Sequence, residues 1–282
     1  MSALSALSAP NAPNAPSSTT SAGPASWLRD ASTLTRRILL HWRRRPASIL
    51  LGLLFPVLMA VMFGYLFGGA MAVPGGGYTD FLIPGMLAMT MLFGLESTVL
   101  AVTTDAARGV TERIRAMPVS GLAVLAGRSW ADLLNALAGL AVMAATGLAM
   151  GWRPRHGLVP ALAALGLLLW LRFAFVWVGI YLGLLLKTPE AAVSVQVLVW
   201  PVGFLASVFV SPDTMPAWLG AVADWNPLSA TATAVRGLFG NPAWASHSWP
   251  AGHAILLAAV WPAVLTLVFL PLAGRRYRLL AR

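Results

Sequence analysis

Cysteine is absent from the 282-residue chain. That absence excludes disulfides, zinc–thiolate sites and a cysteine nucleophile together, so any segment outside the cytoplasm must hold its shape by packing alone. Charge is nearly as scarce: 10% of the residues are Asp, Glu, Lys or Arg, against about 25% in a soluble globular domain. The four histidines, His41, His156, His247 and His253, are scattered and lack the H-E-x-x-H spacing of a metal-binding helix. No G-x-S-x-G nucleophile elbow occurs. Lys187, the lone lysine, follows Leu186 rather than a glycine, which rules out a phosphate-binding loop. A catalytic constellation is therefore not expected, nor is nucleotide hydrolysis by this chain itself.

What fills the chain instead is apolar. Hydrophobic residues make up 58% of it and the mean hydropathy is +0.76, too little polar surface to cover a body in water. The composition is that of a polytopic membrane protein. About 20 residues of helix cross roughly 30 Å of hydrocarbon, and six runs qualify: about 47–71, 81–104, 122–150, 158–186, 190–210 and 253–273. The expected fold class is all-α, with six transmembrane helices.

The net charge of +10 and a pI near 11.5 would point to nucleic acid in a soluble chain. Here the basic residues sit in short clusters between apolar runs and read as topology signals, so no nucleic acid partner is expected. With the N-terminus in the cytoplasm, the clusters at 29–45, 108–128 and 275–282 all fall inside, together with Lys187. The positive-inside rule thus places both termini in the cytoplasm, in a multi-pass protein of the cytoplasmic membrane. Arg153 and Arg155, in the third loop, go against the trend.

Residues 1–25 form an uncharged Ser/Ala/Pro/Asn tail with no basic n-region and no apolar h-region, expected to be disordered rather than a signal peptide. Beyond it, Trp27, Leu28, Ala31, Leu34 and Ile38 recur at helical spacing, while Arg29, Thr33, Arg36 and Arg37 fall largely elsewhere on the wheel. This predicts an amphipathic helix lying in the membrane interface.

Three segments invite a functional reading. The loop 104–121 carries five charges between Asp105 and Arg115. It reads as a helical extension of the second span, with Arg108 and Glu112 at i,i+4, stopped near Pro118. A solvated turn would share this composition, but a connector needs only a few residues, and a docking surface is the sharper reading. The stretch 211–253 holds two short helix signatures: one capped by Asp213 or Thr214 with Pro216 in its first turn, and one opened by Asn226 and Pro227 and ending near Gly240. Both are mostly apolar and too short to span, so they are expected at or re-entering the interface. Trp218, Trp225, Trp244 and Trp249 fit the aromatic belt there. Finally, Glu96, Asp132, Asn135, Arg172 and Gln196 fall within spans, where a charge at the centre costs about 2.5–3.5 kcal/mol and usually faces the bundle interior. A Glu96–Arg172 pair is one arrangement they allow.

The order of several motifs resembles the permease subunits of type-2 ABC exporters, in particular the daunorubicin-resistance group. Tyr78-Thr79-Asp80-Phe81-Leu82-Ile83-Pro84-Gly85 is similar to that family's approach to its second span. Gly109-Val110-Thr111-Glu112-Arg113, continuing to Met117-Pro118-Val119-Ser120, is similar to its cytoplasmic coupling loop. Met215-Pro216-Ala217-Trp218-Leu219 and Asn226-Pro227, through Arg236-Gly237-Leu238, are similar to its outer re-entrant hairpin. The resemblance implies two permease copies, each contacting a separate ATPase chain that holds ATP and Mg; no cofactor is implied in this chain. It implies that the helix around Trp27, Leu34, Arg36, Arg37 and Ile38 transmits the ATPase motion. Arg108, Gly109, Glu112, Arg113, Arg115 and Pro118 would then form the coupling loop. The hairpin, with Pro216, Trp218, Asn226, Pro227 and Arg236, would gate the exit, and the first, second and fifth spans would face the cargo path. Membrane lipid surrounds such a protein. The scarcity of charge suits a hydrophobic or amphiphilic cargo, a drug or lipid; related permeases carry lipid-linked polysaccharide. A secondary transporter or channel would more often show internal repeats, and none is evident.

Overall fold

The computed structural model describes residues 46–71, 73–109, 121–186, 188–244 and 248–279. The tail, the interfacial-helix segment at 27–41 and most of the coupling loop lie outside these residues. Among the described residues the regular structure is helical, and the only extended pairing is an isolated bridge between Val73 and Gly76. In chain order the helices are α1 (Pro46–Gly68), α2 (Tyr78–Ala107), α3 (Gly121–Ala149), α4 (Leu158–Leu186) and α5 (Pro189–Phe204). A 3-10 turn (Pro212–Thr214) follows, then α6 (Ala217–Asp224), α7 (Pro227–Phe239), the single turn α8 (Trp249–Gly252) and α9 (Ala254–Leu279).

Four of these, α2, α3, α4 and α9, are long and apolar enough to cross a membrane. The first expected span corresponds to α1, of 23 residues. The fifth, expected over 190–210, is a helix of 16 residues, about 24 Å long at 1.5 Å per residue. It starts on a local signal: the Thr188 hydroxyl accepts from the Ala191 N–H at 3.3 Å, with Pro189 and Glu190 in the first turn. It stops early because Pro201 and Gly203 weaken its last turn, and the Leu205 N–H closes back on the Pro201 carbonyl at 2.8 Å.

Helix α2 is the axis of the bundle, touched by α1, α3, α4, α5 and α7. Phe81, Leu82, Ile83, Met86, Leu87, Met89 and Met91 on it are almost completely buried. Its closest partner is α4, and the contact is made by glycines. A Cβ on Gly179 would meet Thr98 Cβ at 2.9 Å, and one on Gly183 would meet Val102 Cβ at 2.6 Å. This G-x-x-x-G face lets two backbones approach where no hydrophobic effect drives helices together. Helix α9 covers the other side of α4, with Trp170 Nε1 donating to the Ala259 carbonyl at 3.0 Å and Tyr181 edge-on to Phe269. Side chains on the outside of the bundle are apolar: Tyr65, Leu158, Val159 and Leu267 are each about three-quarters exposed, a surface suited to hydrocarbon rather than water.

The bundle has two chemically distinct ends. At one lie the C-termini of α2, α4 and α9 with Arg108, Arg275, Arg276 and Arg278; at the other lie the N-terminus of α2 and the α6–α7 hairpin. Helix α2 does not run on through Arg108 toward Glu112, as the i,i+4 spacing predicted. It ends at Ala107, because Gly109 adopts φ +65° and turns the chain, with the Arg108 N–H on the Thr104 carbonyl at 3.1 Å. Residues 110–120, with Glu112, Arg113, Arg115 and Pro118, lie outside the described residues.

The hairpin also departs from its expected caps. Asp213 and Thr214 do not cap α6 but form the 3-10 turn, itself capped by the Ser211 hydroxyl, and Pro216 occupies the cap position of α6. Helix α7 follows its local sequence. Asn226 Oδ1 accepts from the Leu228 N–H at 2.9 Å, Pro227 is the first helical residue, and Gly240 closes the helix at φ +69°.

Candidate functional site

Two polar rungs join α2 to α3 toward the basic end. In the first, Arg128 Nη1 on α3 donates to Asp105 Oδ2 on α2 at 2.6 Å. In the second, Thr98 Oγ1 on α2 donates to Asp132 Oδ2 on α3 at 2.8 Å. Asp105 and Thr98 are seven residues apart on one helix, and Arg128 and Asp132 four apart on the other, so each helix presents both groups on one face. The outer rung, partly exposed, closes the base of the loop that holds the predicted coupling residues. Arg108, exposed just beyond it, and Gly109 are the described part of that loop.

The inner rung extends to α4. Arg172, 1% exposed, donates from Nη2 to Thr98 Oγ1 at 2.8 Å and lies 3.6 Å from Asp132 Oδ2. Arg172 therefore pairs with Asp132, not with Glu96 as the sequence allowed. The reason is rotational. Glu96 is two residues from both Gly94 and Thr98, about 200° around a helix of 3.6 residues per turn. Arg172 lies against Gly94, whose missing side chain leaves it room: a Cβ there would stand 2.6 Å from the guanidinium carbon. Thr98 was not foreseen as the bridge. The small pair Gly94-x-x-x-Thr98 on α2, facing Gly179-x-x-x-Gly183 on α4, is the pattern that carries it.

Glu96, part-exposed, falls on the opposite side of α2, about 60° around the helix from Phe93, which meets α1 and α5. Its Oε1 is buried with no hydrogen-bond partner among the described residues. One turn toward the hairpin end, three rings from three helices meet. Phe55 of α1 lies 5.7 Å from Phe93 of α2 and 5.1 Å from Trp200 of α5, and Phe93 and Trp200 are 5.4 Å apart. From there rings continue toward the hairpin through Phe204, Phe209, Phe63 and Phe67, each pair 4.7–5.6 Å apart. Gln196 is exposed on α5, one turn from Trp200 toward the basic end, and Asn135 is half-buried on α3.

At the hairpin end Arg236 is the anchor. It is 1% exposed, donates from Nε to the Phe81 carbonyl at 2.9 Å and from Nη2 to the Val208 carbonyl at 3.1 Å, and its guanidinium carbon sits 3.6 Å over the Phe81 ring. Gly85 admits it, since a Cβ there would meet Nη2 at 2.8 Å. Burial pulls this arginine down to about 9, partly offset by Tyr78, so it is still charged near neutral pH. Two carbonyls and a ring face replace the water it has lost. Asn226 adds a second tie, Nδ2 donating to the Val202 carbonyl at 2.8 Å. Trp218 is 71% exposed, and Trp225 stacks on Trp249, which stacks on His253. The Asp224 carboxyl at the end of α6 is held above its usual range by burial first, then by Asp213, against a hydrogen bond with Ser248.

The two arginines that broke the charge trend each find local partners, Arg155 a carboxylate and Arg153 backbone carbonyls. Arg155 Nη2 donates to Asp80 Oδ2 at 2.5 Å. Arg153 Nη1 donates at 2.7 Å to the Leu148 and Trp152 carbonyls at the end of α3, where a cation complements the helix dipole. Trp152 Nε1 in turn donates to Asn241 Oδ1 at 2.8 Å, tying that loop to the hairpin.

Residues 29–239 match the ABC-2 type transporter family. Over 263 residues the chain is 33% identical to the daunorubicin resistance ABC transporter permease protein DrrB1 of Streptomyces coeruleorubidus, covering 92% of this chain and 90% of that one. It is 26% identical over 225 residues to the putative transport permease ycf38 of Cyanophora paradoxa, 77% of each chain. It is 23% identical over 239 residues to the probable doxorubicin resistance ABC transporter permease protein DrrC of Mycobacterium tuberculosis, covering 79% of this chain and 83% of that one.

Proposed function

The chain belongs to the ABC-2 type transporter family, and from that premise we propose that it is the membrane-spanning subunit of an ATP-driven exporter of hydrophobic or amphiphilic cargo. In this reading it sits in the cytoplasmic membrane with both termini inside, crosses it six times counting α1 and α5, and works as a pair of copies with two separate ATPase chains. ATP and Mg are held by those chains.

The observation that carries the reading, beyond family membership, is the Asp105–Arg128 bridge at 2.6 Å, which joins α2 and α3 on either side of the loop 108–120. A loop tied at its base moves with α2 and α3 together. Force applied to Glu112 and its neighbours by an ATPase would then reach the inner rung at Thr98, Asp132 and Arg172, and with it α4. At the other end, α7 is held to α2 through Arg236 and Phe81, so a shift of α2 would move the hairpin that caps the exit. Cargo would pass along the ring-rich face where α1, α2 and α5 meet, whose mostly apolar side chains disfavour an inorganic ion.

The test is co-expression with a candidate ABC-type ATPase chain, affinity purification, and ATP-dependent uptake of a fluorescent amphiphile into inverted vesicles. The two chains are expected to purify together and to load the vesicles. Glu112→Arg should lower uptake and loosen the complex, whereas full complex formation and coupled uptake after deletion of 109–118 would refute the docking assignment.

A further inference from the structure

Arg236 is a buried cation without a counterion. Its Nε and Nη2 are spent on the Phe81 and Val208 carbonyls, and it forms no ion pair among the described residues. Nη1 is left over, with no hydrogen bond among them. Carbonyls and a ring face are dipoles and a quadrupole, so the net charge stays unmatched, which is costly in a buried site. The guanidinium borders a cavity of about 40 Å³ under the hairpin, whose other polar walls are Ser207, Ser211, Ser229, Thr233 and Asp224. A water needs about 10–15 Å³ of such space, so about three waters fit there, or one compact polar group in their place. Ser229 Oγ accepts from the Ser207 N–H at 2.9 Å, which leaves its own proton to donate. A guanidinium beside hydroxyl donors suits a phosphate. Asp224, at the end of α6, is the carboxyl of the lining; burial holds it above its usual range, a cost that a neighbouring cation would offset.

The cavity continues into a larger one, since Thr233, Ala243, Ala251 and Ala254 line both. The second holds about 470 Å³ between α7 and the start of α9, within the range of about 300–1,000 Å³ usual for small-molecule sites. Its walls are mostly small or apolar, among them Ala234, Gly237, Gly252, Ile255 and Leu256. Beyond it, Leu256, Val260, Val264 and Leu267 form an exposed apolar stripe down α9, spaced by three and four residues. Trp249 opens α8, whose Pro250, Ala251 and Gly252 border the two cavities, and it stacks on Trp225, both half-exposed. Exposed tryptophans mark the level of lipid headgroups. The polar cavity therefore lies at headgroup depth, and the stripe runs from it into hydrocarbon.

We propose that the joined cavities between α7, α8 and α9 hold a resident membrane phospholipid with a primary amine. Its phosphodiester takes Arg236 and the Ser229 hydroxyl, its ammonium donates to Asp224, and an acyl chain follows the larger cavity onto the α9 stripe. The lipid supplies the anion that Arg236 lacks and ties the hairpin to the last long helix. It is a fixed part of this end of the bundle rather than cargo, for the site lies against α9, whereas the ring-rich face lies at α1 and α5. Asp224 is the specificity residue: a choline headgroup has no N–H to donate to it, and a glycerol headgroup brings no positive charge. The hold on the hairpin thereby depends on the headgroups of the surrounding leaflet. The site needs only a membrane-embedded chain, and does not rest on the exporter reading.

The experiment mixes the full-length chain, purified in mild detergent, with equal amounts of phosphatidylethanolamine, phosphatidylcholine, phosphatidylglycerol and diacylglycerol bearing the same chains. Retained lipid is read by native mass spectrometry. Wild type is expected to keep one phosphatidylethanolamine per chain, favoured about tenfold over phosphatidylcholine, the order set by one charge-assisted bond, and to keep no diacylglycerol. Asp224→Asn should erase the preference for ethanolamine over choline. Gly237→Phe, which fills the larger cavity from an exposed position on α7, should abolish retention of every lipid. Equal retention of the three phospholipids by wild type, an unchanged preference in D224N, or retention of diacylglycerol overturns the site. Displacement by soluble glycerophosphoethanolamine at the concentration of the lipid would show that a free phosphodiester suffices, and overturns the lipid assignment. With an ATPase chain bound, the lipid should stay in place through ATP turnover; its release would make it cargo and overturn the resident role. A chain that keeps phosphatidylethanolamine as expected but binds no ATPase supports the site and counts against the exporter reading alone.

Discussion

Arg172 and Asp132 meet through a third residue: Thr98 Oγ1 accepts from the guanidinium and donates to the carboxylate, each at 2.8 Å, while the charges themselves stand 3.6 Å apart. The hydroxyl completes a buried polar unit drawn from three helices. Removing either charge leaves the other uncompensated, whereas removing both leaves neither.

Asp132→Ala and Arg172→Met are each expected to destabilise the bundle by about 3–5 kcal/mol, and Thr98→Val by about 1–2 kcal/mol. The double variant D132A/R172M should cost less than the sum of the two singles. Thermal unfolding of wild type and the four variants in one detergent checks this. Strict additivity would mean that the two groups are not coupled.

The glycine face of α4 gives a second prediction with a control on the same helix. Gly183→Ala sets a Cβ 2.6 Å from Val102 Cβ, whereas a Cβ at Gly166 has nothing within 4 Å. The first is expected to destabilise by about 1–3 kcal/mol. Gly166→Ala should be neutral or stabilising by up to about 1 kcal/mol, because alanine favours helix. Equal midpoints for the two variants would mean that α2 and α4 do not approach through glycine.

The outer rung separates stability from coupling. The Asp105–Arg128 pair is partly exposed, with Asp105 43% accessible, so Asp105→Asn should change unfolding by less than about 1 kcal/mol. If the bridge holds the loop base rigid, the same variant should keep ATPase binding and still lower uptake per ATP hydrolysed. The ratio of transport to hydrolysis in vesicles reads this directly, and an unchanged ratio would leave the bridge without a part in transmission.

Asp224 supplies a pH dependence at the hairpin end. Burial raises its folded carboxyl above the unfolded value, so its contribution is most favourable below the unfolded range and is lost as pH rises through the folded one. Asp224→Asn should therefore raise the unfolding midpoint near neutral pH and leave it unchanged in acid. A variant less stable than wild type at neutral pH would show that the Ser248 hydrogen bond outweighs the cost of burial.

Much of this architecture was legible in sequence because it is local. The run of apolar residues marks each long helix, and Asn226 and Pro227 open α7, since caps and proline act on the backbone within a few residues. Local signals failed where two of them competed. At 104–109 the i,i+4 charges favoured continued helix, but the left-handed Gly109 ended it; at 190–210 the apolar run outlasted a helix stopped by Pro201 and Gly203.

By itself the sequence determined that the chain is a bundle of apolar helices with an arginine-rich end, for composition and charge placement need no neighbours to take effect. Only the tertiary structure decided which buried charges pair. Partnership depends on the rotation of each helix against the next, and that rotation is set by where small residues let backbones approach. Gly94, Gly179 and Gly183 bring α4 against one side of α2, so Arg172 finds Thr98 and Asp132. Glu96, on the opposite side by a turn of about 200°, is left without it.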